Sequence, residues 1–294
     1  MFHARKLRAQ RLRAPVPVVA LLAGLVALFG FGISFGESFV GRAAPVPHDR
    51  DGRGIDDEDH SAGPGGLSVA SQGYVLRPRA TRFTAGEYEN FRFNIFSSDG
   101  SPVTDFAQRG ERRMDLFVVR RDLTGYQHLY PVMDPDGTWT VPLELEEPGN
   151  YHAFAEFVPG TAKTPVTLGV DLDAPGWVEP GPISKESTVA GIDGYSVTWT
   201  GNLIGGSVSR VWIHVMRDNV PVMDLDPVLW GGARLVVLRE GDLANLHVHP
   251  VGGPRQNTAI EFDADVPTTG YYRMFLEFQH HGRLRTVEFT ALAR

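Results

Sequence analysis

Two histidines one residue apart, His247 and His249 in the stretch LHVHP, are the residues of this sequence best spaced for chemistry. In an extended strand they project to the same face, with their Cα atoms about 6.5–7 Å apart. Neutral imidazole is a good ligand for copper and zinc, so the pair predicts a transition-metal site if a neighbouring strand adds a third ligand. The same spacing is typical of the polar outer face of a strand near a loop, and both interpretations remain open.

The histidine pair belongs to the second of two copies of one sequence unit. At a shift of 119 residues, SSDGSPVTDF matches MRDNVPVMDL, LFVVR matches LVVLR, and HLYP matches HVHP. At a shift of 121 residues, GNYHAFAEF matches GYYRMFLEF. Because these matches keep the same order, we infer a duplication in which His128 and Tyr130 occupy the positions of His247 and His249.

Each copy has the pattern of a β-sandwich. Short runs rich in β-branched and aromatic residues, several of them alternating, are separated by turn residues, and the chain contains 33 glycines and 21 prolines. Six or seven strands in about 105 residues are typical of an immunoglobulin-like sandwich. We therefore predict an all-β fold with tandem immunoglobulin-like β-sandwiches at residues 67–174 and 191–294, joined by a linker at residues 175–190.

Two kinds of local motif support this fold. A Gly-x-Tyr motif that ends at Tyr151 and at Tyr272 predicts a tyrosine corner in each copy, where the hydroxyl holds a strand that crosses between sheets. Residues 134–137 (DPDG) and 280–283 (HHGR) predict hairpin turns.

The N-terminal residues predict a membrane anchor. Residues 15–36 contain no charged residue and are long enough to span a bilayer as a helix, whereas residues 1–14 carry five basic residues and no acid. Because a basic flank stays in the cytoplasm, we predict a cytoplasmic tail at residues 1–14, one transmembrane helix at residues 15–36 and extracytoplasmic C-terminal domains. Residues 37–66 predict a flexible acidic linker. A cleaved signal peptide is the alternative to a signal anchor.

The composition narrows the classes of function. The chain contains no cysteine, which excludes disulfides, thiolate metal ligands and cysteine nucleophiles. Its net charge is −7, and the residues after the basic tail carry about −12, which argues against nucleic-acid binding. The sequence has no nucleophile elbow, phosphate loop or His-Glu-x-x-His motif, so we predict that the protein is not an enzyme.

Four stretches of the sequence resemble a family of secreted or membrane-anchored actinobacterial proteins associated with heavy-metal handling. They are residues 114–143, residues 149–157, residues 233–250 and residues 270–289. Each domain of that family has a histidine before the Leu-Val run and a His-x-His-Pro motif after it. The resemblance implies three imidazoles on adjacent strands and a copper site, in a sandwich similar to cupredoxins and other copper-binding sandwiches.

This sequence departs from the family pattern in both copies. The first histidine is replaced by Asp115 in one copy and by Arg234 in the other, and Tyr130 replaces one histidine of the first pair. An arginine repels a cation and cannot bind it as a ligand. The resemblance thus implies copper as the candidate cofactor and four candidate metal ligands, namely Asp115, His128, His247 and His249.

Other polar residues have less specific interpretations. His280 and His281 lie at the last predicted hairpin, where a turn would let both rings reach one site, although adjacent residues of a strand point to opposite faces. Asp105 and Asp224 occupy matching positions and are expected to cap turns through backbone N–H groups. His152 is expected at an exposed strand position.

Two functions follow from these observations. The first is a membrane-anchored extracytoplasmic protein that binds a transition metal in cell-envelope metal homeostasis. The second is a structural or interaction module that binds an envelope protein partner without a metal, for which Trp230 is the candidate anchor.

Overall fold

The computed structural model describes residues 65–108, 112–160, 162, 164–178, 185–227, 232–251 and 259–294. The predicted cytoplasmic tail, the predicted transmembrane helix and nearly all of the acidic linker lie outside these residues, and so does Trp230. No helix within the described ranges is long and apolar enough to cross a membrane.

The regular secondary structure of the described residues consists of β-strands in two successive sandwiches, which confirms the predicted all-β fold and the duplication. The first sandwich contains β1 (Ala70–Ser71), β2 (Tyr74–Pro78), β3 (Tyr88–Phe96), β4 (Met114–Arg120), β5 (Gln127–Leu129), β6 (Val132–Met133), β7 (Thr138–Glu144), β8 (Gly149–Phe157) and β9 (Val166–Ala174). The second contains β10 (Val189–Ile192), β11 (Tyr195–Gly201), β12 (Ser207–Arg217), β13 (Val220–Pro221), β14 (Ala233–Arg239), β15 (Val248–Val251), β16 (Ile260–Val266), β17 (Gly270–His280) and β18 (Arg283–Ala293).

Both sandwiches have the strand order of a constant-type immunoglobulin domain. In the first, β1-β2-β3-β7-β6 form one sheet and β5-β4-β8-β9 form the other. In the second, β10-β11-β12-β16-β15 face β14-β17-β18, and β13 adds to β12. Letters A to G can be given in chain order to β2, β3, β4, β6, β7, β8 and β9, and likewise to β11, β12, β14, β15, β16, β17 and β18. The two sheets of each sandwich are then ABED and CFG. The first sandwich has β5 as an extra strand beside strand C.

Alternation of side chains explains how each sheet faces its own core. In β12, Val211, Ile213 and Val215 are buried against the opposite sheet, and the residues between them are at least partly exposed. Successive strand residues point to opposite faces, so this spacing covers the core with one face and leaves the other to solvent. Aromatic residues fill both cores, including Trp139 in the first sandwich and Phe289 in the second.

The predicted local motifs are confirmed. The hydroxyl of Tyr151 donates to the carbonyl of Glu147 at 2.7 Å, and that of Tyr272 donates to the carbonyl of Thr268 at 2.8 Å. Each bond reaches back four residues and fixes the corner before β8 or β17. Residues 134–137 connect β6 to β7, and a two-residue turn connects β17 to β18.

The strands β4 and β14 break the alternation because they are buried on both faces. Their outward residues Phe117, Val119, Val236 and Leu238 pack together between the two sandwiches, with Phe154 and Phe275 from β8 and β17. The ring of Tyr126 stacks on that of Phe275 with 4.2 Å between centroids. The CFG sheets of the two copies therefore pack against each other, and both sandwiches belong to one compact unit.

Candidate functional site

The histidine pair lies at the edge of the ABED sheet of the second sandwich. His249 belongs to β15, His247 immediately precedes it, and both side chains are exposed. Their ring centroids are 5.5 Å apart and the ring planes are inclined by 43°. The rings therefore share one face, as the strand spacing predicts.

The neighbouring strand β16 places two carboxylates opposite the pair. His249 is in register with Asp263, and the backbone N–H of Asp265 donates to the carbonyl of His247 at 3.0 Å. Residues in register share a face of an antiparallel sheet, so both acids accompany the imidazoles. Arg210 already donates to both oxygens of Asp263, at 2.8 and 2.9 Å, and lowers the pKa of this carboxyl, with a smaller contribution from His249.

The first-copy candidates Asp115 and His128 are brought together, but inside the contact between the two sandwiches. The side chain of His128 is only 1% exposed. Its Nδ1 lies 2.6 Å from Glu277 Oε2, and its Nε2 lies 3.1 Å from Asp115 Oδ1. Only an imidazolium can donate from both nitrogens. Burial alone would lower the pKa of His128, but the bonds to the two carboxylates outweigh burial and raise it.

Arg234 completes this arrangement from the second sandwich. Its guanidinium donates to Asp115 at 2.8 Å and to Glu156 at 3.0 Å, and it lies 4.3 Å from the ring centroid of Phe117. Burial opposes the charge of Asp115, but His128 and Arg234 hold the pKa of its carboxyl well below the ordinary value. We call these five residues the interface charge cluster: Asp115, His128, Glu156, Arg234 and Glu277.

Equivalent positions of the two copies supply four of the five residues of the interface charge cluster. Asp115 and Arg234 are equivalent positions of the two copies, and so are Glu156 and Glu277. The two copies present the same face to each other, as the halves of an isologous dimer do, so equivalent positions meet across the contact. Opposite charges at residues 115 and 234 therefore pair, whereas two acids or two arginines there would repel each other.

This environment does not leave the first-copy residues open as metal ligands. Both nitrogens of His128 already face carboxylate oxygens, and Asp115 is held by Arg234. The hydroxyl of Tyr130 lies 3.2 Å from His128 Nδ1, and burial raises the pKa of this phenol to about 12. The phenol thus stays protonated at neutral pH, and a cation here would have to displace Arg234 and the imidazolium protons.

The environments of two other polar residues bear on their expected roles. His152 is buried, with Nδ1 2.6 Å from Asp171 Oδ1 and Nε2 2.7 Å from the carbonyl of Gly66, so the expectation of an exposed position is wrong. Asp224, which is expected to cap a turn, also has a side-chain partner: its carboxylate lies 3.1 Å from His280 Nε2. Among the described residues, Asp224, His280 and His281 form the one group of three whose metal-binding atoms all lie within 4.8 Å of one another.

Sequence comparison supports the duplication, because one family model matches the chain twice. The model is described as "Domain of unknown function (DUF8832)", and it matches residues 69–173 and again residues 188–294. These matches cover the strands of both sandwiches except Ala174, the last residue of β9, and they leave out residues 1–68 and 174–187. A search of curated proteins finds no match to the chain.

Solved structures of low sequence identity also match the chain. The Lin-41 filamin domain is 14% identical, with 39% of this chain and 98% of that chain covered and a TM-score of 0.24. The Escherichia coli adhesin FdeC is 11% identical, with 76% of this chain and 65% of that chain covered and a TM-score of 0.25. Domains 5–6 of the S-layer protein SbsC are 11% identical, with 75% and 99% covered and a TM-score of 0.22.

Proposed function

The chain belongs to the DUF8832 family, of which it carries two domains, and we propose that it is a non-enzymatic cell-envelope protein that binds copper or another transition metal through His247 and His249. The observation that carries the proposal is the geometry of the pair: two exposed imidazoles share one face with 5.5 Å between ring centroids. Imidazole nitrogen suits copper and zinc better than calcium or magnesium, which prefer oxygen ligands.

A carboxylate of β16 is the third ligand in this proposal. Asp263 and Asp265 lie on the same face as the histidines, and Asp265 is the nearer to His247 in register. Arg210 pairs with Asp263 on the surface, where its side chain is 44% exposed, and such a pair is worth only about 0–1 kcal/mol. A bound metal ion can therefore displace Arg210 at small cost, or it can use Asp265.

The proposed location is the outer side of the cell membrane. It rests on residues 15–36, whose length and lack of charge fit a single transmembrane helix, and on the basic residues that precede them. In this arrangement the acidic residues 37–66 connect the anchor to the first sandwich, and the metal site is extracytoplasmic.

Isothermal titration of the full-length chain with Cu(II) and Zn(II) tests the proposal. We expect the double variant His247→Ala with His249→Ala to bind one metal ion fewer per chain than the wild type, with the lost site tighter than about 1 µM. The matched control is His214→Ala, which removes another histidine from the same sheet and leaves the stoichiometry unchanged. Equal stoichiometry in the double variant and the wild type would contradict the proposal.

A structural or interaction module without a metal is the second candidate. The side chain of Trp177, beyond the last strand of the first sandwich, is 88% exposed, and the adjacent Val178 is exposed as well. An exposed tryptophan is a common anchor for a protein partner. Under this alternative, the chain binds neither metal saturably, and substitution of Trp177 by Ala weakens binding to an envelope protein.

A further inference from the structure

A second set of donor atoms lies at the hairpin between β17 and β18, in a part of the second sandwich separate from β15. Asp224 Oδ1 is 3.1 Å from His280 Nε2, and the rings of His280 and His281 stack with 3.8 Å between centroids. One carboxylate oxygen and two imidazole nitrogens lie within 4.8 Å of one another. This is a mixed nitrogen and oxygen set, which zinc and Cu(II) accept.

The turn itself brings the two rings to one side. His280 is the last residue of β17, and His281 adopts a φ of 53° in the turn, followed by Gly282 with a φ of 72°. Two successive positive φ angles are the signature of a type I′ hairpin turn. In a continued strand the second ring would point to the opposite face, so the turn is what lets both histidines reach one ion.

A second layer of contacts orients His280. Its side chain is buried, and Nδ1 lies 2.7 Å from the hydroxyl of Tyr195. Histidines that bind metal ions commonly use the other ring nitrogen for such a bond, which fixes the direction of the ligating nitrogen. Here the contact directs Nε2 toward Asp224, so a cation bound between them would replace the hydrogen bond that joins these atoms.

The first copy provides an internal comparison. In repeat register, Asp105 corresponds to Asp224, while Pro159 and Gly160 correspond to His280 and His281. The carboxylate of Asp105 lies directly beside Gly160, since a Cβ added to that glycine would be only 2.1 Å from Asp105 Oδ2. The fold therefore brings an acid to this place in both copies, and only the second copy adds imidazoles.

Nearby cations are paired with other groups. Arg283 and Arg285 both lie 3.2 Å from Asp193 Oδ2, and Arg217 donates to the Tyr195 hydroxyl at 3.2 Å. Asp226 accepts from the backbone N–H of Gly282 at 2.7 Å and adds negative charge beside the hairpin. With Asp224 included, three carboxylates face the three arginines, so the local charge is balanced, which is compatible with a divalent cation.

We propose that Asp224, His280 and His281 form a second transition-metal site, with water completing the coordination of Zn(II) or Cu(II). Tetrahedral zinc at bonds of about 2.0–2.2 Å requires its ligand atoms to be about 3.4 Å apart. Asp224 is 74% exposed on its side chain and His281 is exposed, so both can move the short distance toward the fixed His280. This site does not depend on His247 and His249.

Zinc titration of the full-length chain in the His247→Ala/His249→Ala background isolates the hairpin site. We expect one bound Zn(II) per chain, tighter than about 10 µM. His281→Asn and Asp224→Asn should each weaken it about tenfold or more, because each removes one ligand. Asparagine tolerates the positive φ of the turn and preserves the fold. The matched control Asp105→Asn, in the first copy, should leave zinc binding unchanged.

The outcomes separate this site from the histidine pair. The hairpin site would be overturned if the His247→Ala/His249→Ala variant bound no zinc. It would also be overturned if adding His281→Asn or Asp224→Asn to that variant left zinc binding unchanged. A background variant that binds as many ions as the wild type would instead contradict the role of His247 and His249. In nuclear magnetic resonance spectra, zinc should shift the ring signals of His280 and His281 together.

Discussion

Replacement of Arg234 by Met tests whether the interface charge cluster holds the two sandwiches together. Methionine keeps an aliphatic side chain beside Phe117 but removes the guanidinium, so Glu156 loses that partner and Asp115 keeps only His128. Loss of one partner of a buried ion pair costs about 3–5 kcal/mol. The side chains of Arg234 and Asp115 are 16% and 15% exposed, so solvent screens part of the loss and we expect about 2–4 kcal/mol.

The assay is the free energy of unfolding of the full-length chain in urea, followed by tryptophan fluorescence. The matched control is Arg210→Met, which breaks the pair with Asp263 on the solvent-exposed face of the second sandwich, and which should cost about 0–1 kcal/mol. Addition of Asp115→Asn to Arg234→Met removes one of the two carboxylates that lose the guanidinium, and should recover part of the loss. If Arg234→Met costs no more than Arg210→Met, the proposed stabilising role of the interface charge cluster is wrong.

Further predictions concern pH and the tyrosine corners. The pKa of His128 is raised in the folded state, so its contribution to stability is complete below the ordinary histidine pKa. This contribution is lost as pH rises through the folded-state pKa, and the urea midpoint should therefore fall over this range of pH. The variant His128→Gln should show a smaller fall. Tyr272→Phe removes the bond to the Thr268 carbonyl and should lower the free energy of unfolding by about 1–2 kcal/mol, measured by the same denaturation; an unchanged value would refute a stabilising corner.

The fold was accessible from the sequence because its signals are local. Alternation within strands, the Gly-x-Tyr motifs and the repeated order of short motifs each depend on neighbours a few residues apart. The predicted domain organisation does not include the contact between the sandwiches, although LFVV and LVVL do not alternate, as expected of strands buried on both faces. The opposite charges of Asp115 and Arg234 at one repeat position were a second signal of that contact.

The candidate ligands were harder to assign because imidazole and carboxylate serve both metal sites and ion networks. His128 has the neighbours that the sequence predicts, but Glu277 lies 149 residues away along the chain, and its position depends on how the two copies pack. His247 and His249 face solvent together because their arrangement depends only on one strand. Spacing thus predicted the geometry of a pair within a strand, and not that of a cluster between domains.

His247 and His249 are proposed to bind one transition metal ion together. The most direct measurement is anomalous diffraction at the zinc edge from crystals of the protein soaked in Zn(II). We predict an anomalous peak about 2.0–2.1 Å from a ring nitrogen of each histidine. A well-ordered pair of rings with no peak between them, in crystals grown without competing chelators, would contradict the claim.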